Sequence, residues 1–241
     1  MFEARLRAWL ASFDESKARA IKQDGHVGVF SAEFESRKII VKRWRVRSLG
    51  DRLKLWTRTS RADRHRRGAE RLMSLGVGTA RMLASVTSVD ARGPRQLIAM
   101  EHLQGPSLLR LMHDRTLSPK QEHALARALA QDMSKMLRAG FYNRDHKPSN
   151  LIVTSIDPPS VSVIDTVAIE RCGDEGAIRM LASLVIEPIG TGCKPRRAIM
   201  MRVVRALGDT ALGRPSTQLW MYAQKVVENH GDPRPKVDPL A

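Results

Sequence analysis

Residues 141 to 152 read Phe-Tyr-Asn-Arg-Asp-His-Lys-Pro-Ser-Asn-Leu-Ile, and within them Asp145, Lys147 and Asn150 stand at offsets zero, two and five. Moving a phosphoryl group from ATP to a hydroxyl requires a carboxylate that orients the hydroxyl and takes its proton. It also requires a cation beside the moving group and a hard oxygen donor for magnesium. One short loop supplies all three. Read singly, each residue has an ordinary structural account: an Asp before a turn is a cap and an Asn is a turn residue. Their order and spacing carry the chemical reading.

Working outward, the loop follows a long helical pattern. Ser118 and Pro119 open it, and Ala124, Leu125, Ala128, Leu129, Met133, Met136 and Leu137 recur at three- and four-residue spacing up to Gly140. After the loop, LIVT and VSVID flank Asp157-Pro158-Pro159 and predict a hairpin, with Asp165 closing its second strand. Asn150 and Asp165 are both hard oxygen ligands, so the strand ends offer a shared magnesium site. Helical stretches are expected at 175 to 187, 195 to 208 and 215 to 229, ahead of a frayed proline-rich tail at 231–241.

Upstream, residues 21 to 44 alternate apolar, β-branched segments with glycine and a charged turn, and predict three antiparallel strands. A helix is expected from 60 to 75, and GVGTARMLASVTSV and RQLIAMEHL supply two further strands. The amino-terminal 1–20 reads as a charged helix, not a signal peptide. The predicted organisation is therefore a helix at 1–20, a sheet-rich part at 21–104 with one inserted helix, a helical part at 105–230 and the tail.

Composition limits the alternatives. Hydrophobic residues at 42% and charged ones at 27% are those of a folded domain. A net charge of +16 favours an anionic partner, and eleven Lys or Arg between Lys42 and Arg67, against Asp51 and Asp63 alone, concentrate that charge. A solvated helix face accounts for the same run equally well. Only Trp44 and Trp56 interleave these cations as stacking platforms, so no nucleic acid is expected as a partner. Cys172 and Cys193 lack metal-ligand spacing. No apolar stretch reaches membrane-spanning length, and the expected location is cytoplasmic, with peripheral contact to an acidic inner-membrane surface.

The loop resembles the H-R-D-x-K-x-x-N catalytic loop of the protein-kinase-like superfamily, with Asn143 where the histidine usually stands. Asp165, in VIDTV, is similar to the metal-binding aspartate of the D-F-G segment, although Thr166 and Val167 replace Phe and Gly. Lys42, in IIVKRW, resembles the strand lysine that holds the α and β phosphates of ATP. Gly25 and Gly28, in DGHVGVF, occupy the place of the glycine-rich phosphate cover, which a simple turn would also explain. Glu101 and Leu103, in LIAMEHLQG, resemble the connection whose backbone binds adenine. For the acid that pairs with Lys42, Glu70 is preferred over Asp63, while a surface pair of Glu70 with Arg66 or Arg67 competes.

The stretch SRADRHRRGAERLMSLGVGTARMLA, with the basic segment before it, is similar to the lipopolysaccharide core (Kdo and heptose) kinases. The resemblance covers residues 22 to 170. It implies an α+β, two-lobed fold with a small antiparallel-sheet lobe and a shortened helical lobe, ATP and Mg2+ as cofactors, and a hydroxyl of an anionic glycolipid or sugar as acceptor. No A-P-E motif follows Asp165, which fits a small acceptor better than a peptide. A minimal atypical Ser/Thr protein kinase and a catalytically silent pseudokinase scaffold are the competing readings.

Overall fold

A computed structural model of the chain describes residues 1–173, 175–193, 196–210, 215–234 and 239–240. Two compact units divide it: Met1–Glu70 with Ala80–Leu103, and Arg71–Thr79 with the residues from Gln104 onward. The class is α+β.

The first unit is built on a five-stranded antiparallel sheet. Helix α1 (Phe2–Ala11) precedes strands β1 (Arg19–Gln23), β2 (Val27–Phe34) and β3 (Arg37–Arg45); helices α2 (Leu49–Trp56) and α3 (Arg61–Ser74) follow, the residues of α3 from Arg71 on being counted with the second unit. The two-residue strand β4 (Gly78–Thr79) belongs to the second unit, and β5 (Met82–Asp90) and β6 (Gly93–Glu101) complete the sheet. Its order is β1-β2-β3-β6-β5. Alternation along β3 sends Ile39 and Val41 to one face, where they pack with Phe30, Phe34, Leu97 and Ala99 against Leu6, Leu10 and Phe13 from the amino-terminal segment.

Three expectations need correction here. The first helix stops at Ala11 instead of running to residue 20. Asp14 caps the Ser16 N–H at 3.0 Å, and the Glu15 carboxylate is drawn to Arg43 and Arg45, so the chain turns into β1 at Arg19. The sheet carries two inserted helices, because Ser48 and Asp51 form a reciprocal capping box that starts α2 inside the basic segment. The single strand expected over GVGTARMLASVTSV is broken. Gly78 lies so close to Val161 that a Cβ there would meet its carbonyl oxygen at 2.5 Å, and β4 joins another sheet while β5 begins at Met82.

The second unit contains α4 (Leu108–Asp114), α5 (Pro119–Arg138), β7 (Phe141–Asn143), β8 (Leu151–Ile156), β9 (Pro159–Val163), β10 (Ile169–Arg171), α6 (Gly176–Gly190), α7 (Arg197–Thr210) and α8 (Ser216–Glu228). Ser118 and Gln121 cap α5 reciprocally and Pro119 sits in its first turn. Its apolar stripe, Leu125, Leu129, Met133 and Met136, packs with Leu151 and Val163 of the hairpin and with Met180, Leu181 and Leu184 of α6. β8 pairs with β9, and β4 adds to β9 in parallel; β7 pairs with β10. The expected helix start at residue 195 and positions 235–238 and 241 of the tail lie outside the described residues.

Candidate active site

The segment 143–150 is held at both ends. Asn143, fully buried at the end of β7, pairs with Ile169 of β10, and its side-chain oxygen accepts the Asp145 N–H at 3.0 Å. Arg144 donates its N–H to the Ala168 carbonyl at 3.0 Å, and its guanidinium meets Glu170 at 2.9 Å. At the far end Pro148–Asn150 form one 3-10 turn, and the Asn150 carbonyl accepts the Ile164 N–H at 3.0 Å. The chain around Asp145 and the chain around Asp165 are thus two loops fastened to each other on either side of the carboxylates.

Within that frame the Asn150 amide nitrogen donates to the Asp145 backbone oxygen at 3.1 Å and to Oδ2 at 3.0 Å. This orientation turns the Asn150 carbonyl oxygen away from Asp145. Lys147 Nζ lies 3.6 Å from Asp145 Oδ1, and Asp165 Oδ1 accepts a 3.4 Å bond from the Val167 N–H. Asp145, Lys147, Asn150 and Asp165 are all partly accessible. His146, between them in sequence, is 2% exposed, and burial lowers its ring pKa from the usual 6.5 to about 4. It serves as a neutral packing group.

Ser149 adds a contact that sequence reasoning missed. Its N–H and hydroxyl both donate to Glu187 of α6, at 2.8 and 2.5 Å, and Glu187 is buried. A readable signal existed: Glu187 is an acid on the same helical face as the core residues Met180 and Leu184, and a buried carboxylate needs donors.

The remaining expected residues lie in the first unit. Lys42 is buried in β3, opposite Val29 and Ile98. Gly28 faces Arg43 across the ladder, and a Cβ there would come within 2.5 Å of the Phe30 ring, so packing alone demands glycine. Gly25 sits in a turn that Asp24 closes by accepting the His26 and Val27 N–H groups at 2.8 and 2.6 Å. Glu101 commits its N–H to the Arg81 carbonyl at 2.9 Å, and Leu103 follows beyond the end of β6 in a segment that is neither helix nor strand. Glu70 pairs with Arg66 at 2.9 Å with its side chain 53% exposed, and Asp63 caps its own helix through Ser60. The surface-pair alternative for Glu70 is the arrangement found.

Among the described residues no three His, Cys, Asp or Glu side chains gather as a metal-binding group. An amide and a carboxylate completed by water and phosphate oxygens remain a set that magnesium accepts. Helix α2 exposes Leu49, Leu53 and Trp56 at 81%, 58% and 82% along one face, beside Arg52, Lys54 and Arg58. No described helix is long and apolar enough to cross a membrane. Neither the models of known protein families nor the curated proteins give a match to this chain.

Proposed function

We propose that the chain is an ATP- and magnesium-dependent phosphotransferase of protein-kinase-like, two-lobed fold, acting on a hydroxyl of an anionic sugar or glycolipid. The observation that carries this reading is the double fastening of the Asp145 and Asp165 loops, Arg144 to Ala168 and Asn150 to Ile164, with the Asn150 amide bonded to the Asp145 carboxylate. This fastening keeps Asp145, Asn150 and Asp165 on adjoining loops, which supports a reading in which two carboxylates and an amide act together.

In this reading Asp145 orients the acceptor hydroxyl and takes its proton as that oxygen bonds to the γ-phosphorus and the bond to ADP breaks. Lys147 offsets charge on the phosphoryl oxygens. Asn150 and Asp165 would hold magnesium, which supplies charge neutralisation on the phosphates. Lys42 holds the α and β phosphates, and Glu101 and Leu103 meet adenine; Gly28, which packing against Phe30 demands, and Gly25, in a turn that Arg47 fixes, are given no part. Glu70, engaged with Arg66, is given no part. Asn143 in place of a histidine is no mark of inactivity, since its side chain fixes the Asp145 backbone, and this favours an enzyme over a silent scaffold. Glu187 is a positioning residue, acting through Ser149.

The acceptor is proposed to be displayed at an acidic membrane surface, supported by the exposed Leu49, Leu53 and Trp56 of α2 among its cations. The test is paired. Asp145→Ala should keep the rise in melting temperature caused by ATP with magnesium while lowering phosphotransfer about 10²- to 10⁴-fold. No nucleotide-dependent rise and no transfer to lipopolysaccharide, core sugars or a generic basic protein would overturn the enzyme reading. Transfer to the protein alone would favour the minimal protein kinase.

A further inference from the structure

We infer that the first unit carries a binding recess for a phosphate-bearing group, on the face of its sheet opposite to Lys42. Successive side chains on β3 point to opposite faces, so Arg43 and Arg45 share the side of Ile39 and Val41, against which the amino-terminal segment packs, and Lys42 points to the other. At the end of that face lies a recess of about 320 Å³, lined by Asp24, Gly25, Arg43, Arg45, Arg47 and Arg92 among others.

The charge around this recess is unbalanced in favour of an anion. Arg43, Arg45 and Arg95 are all buried. Glu15 accepts from Arg43 at 3.1 and 3.2 Å, from Arg45 at 3.2 Å and from Arg95 at 3.5 Å, while Asp90 takes Arg45 at 2.6 Å and Arg95 at 3.3 Å. Three buried guanidiniums therefore share two carboxylates. Arg43 Nη1 is buried with no hydrogen-bond partner, a costly state for a charged donor. Arg47 and Arg92, both exposed, add two cations at the lining. Asp24, the lining acid, already accepts two backbone N–H groups, which hold its pKa below the usual carboxylate range. Arg47 also grips the Gly25 carbonyl, fixing the β1–β2 turn beside the recess.

Planar guanidiniums present paired N–H donors that match phosphate oxygens, and an ion carrying two or more negative charges would offset the surplus. The shared chemistry is a phosphate group, from a soluble phosphoester or from a lipid headgroup. The inference does not depend on nucleotide turnover.

The experiment titrates the full chain with inorganic pyrophosphate by calorimetry, and in a second arm measures co-sedimentation with phosphatidylcholine vesicles containing phosphatidic acid. Each arm uses the unaltered chain, R47A/R92A and Lys42→Met. Arg47 and Arg92 are surface residues, and circular dichroism checks that the double variant folds. Saturable binding that Lys42→Met keeps and R47A/R92A weakens by about tenfold or more supports the recess. A loss confined to pyrophosphate assigns a soluble ligand, and a loss confined to vesicles assigns a headgroup. Absence of saturable binding in both arms, or binding lost in Lys42→Met and kept in R47A/R92A, overturns it.

Discussion

At the scale of single residues, the meeting of Asp145 and Asn150 was legible because both stand on one short loop, whereas the Ser149–Glu187 contact was hidden because it depends on a helix distant in sequence. Replacing Glu187 by Ala leaves the Ser149 N–H and hydroxyl without their acceptor. The expected cost is about 1–3 kcal/mol of stability, read from urea denaturation. If the chain is the proposed phosphotransferase, turnover should fall while the KM for ATP holds, and Glu187→Gln should recover part of it. His146 gives a pH signature. The folded chain holds the ring neutral with a pKa of about 4, while the unfolded chain takes up a proton near 6.5. Its contribution is complete above pH 6.5 and drains away as pH falls toward 4. Stability should drop by about 2 kcal/mol between pH 7 and pH 5, and His146→Phe should flatten that slope in denaturation midpoints. Asp24 and Asp51, held below their usual range chiefly by backbone N–H groups, titrate at more acid pH, whereas His123, its pKa also lowered, chiefly by desolvation, adds to the slope in the same window and accounts for a part that remains in His146→Phe.

At the scale of elements, periodicity and caps placed α5, the hairpin of β8 and β9, and the first three strands close to where they lie. Ser118→Ala, which removes one half of the α5 capping box, should cost about 1 kcal/mol by thermal denaturation. The break between β4 and β5 was illegible, because Gly78 and Thr79 are shaped by a strand more than eighty residues later, and local pattern cannot register such a neighbour. Helix α2 could have been read from Ser48 and Asp51, but a basic run invites a reading as linker. Its Leu49, Leu53 and Trp56 face predicts a direct signal. On anionic vesicles Trp56 emission should shift to shorter wavelength, and Leu53→Asp should weaken association by about tenfold, the factor that follows from withholding one leucine from the apolar layer. An unchanged spectrum would remove the membrane surface as a partner.

At the scale of the whole molecule, sequence conveyed the class and the net charge, and the charge has a measurable consequence. With +16 formal charges, association with acidic vesicles should fall steeply as sodium chloride rises from low to physiological strength. The Leu53→Asp variant should lose the salt-resistant remainder. Two cores, one around Leu97 and Phe30 and one around Met133 and Leu181, carry the two units, and each rests on its own apolar set. The arginine-lined recess escaped sequence reading, since Glu15, Arg43, Arg47 and Arg92 are united only once a sheet has formed.

Helix α2 contributes no buried side chain to either core. Its outward residues are consequently released from any duty to folding, and a library randomised at Leu49, Leu53 and Trp56 would vary the proposed membrane contact while both cores stayed intact. On the proposed reading, delivery and reaction are written in separable passages of the same chain.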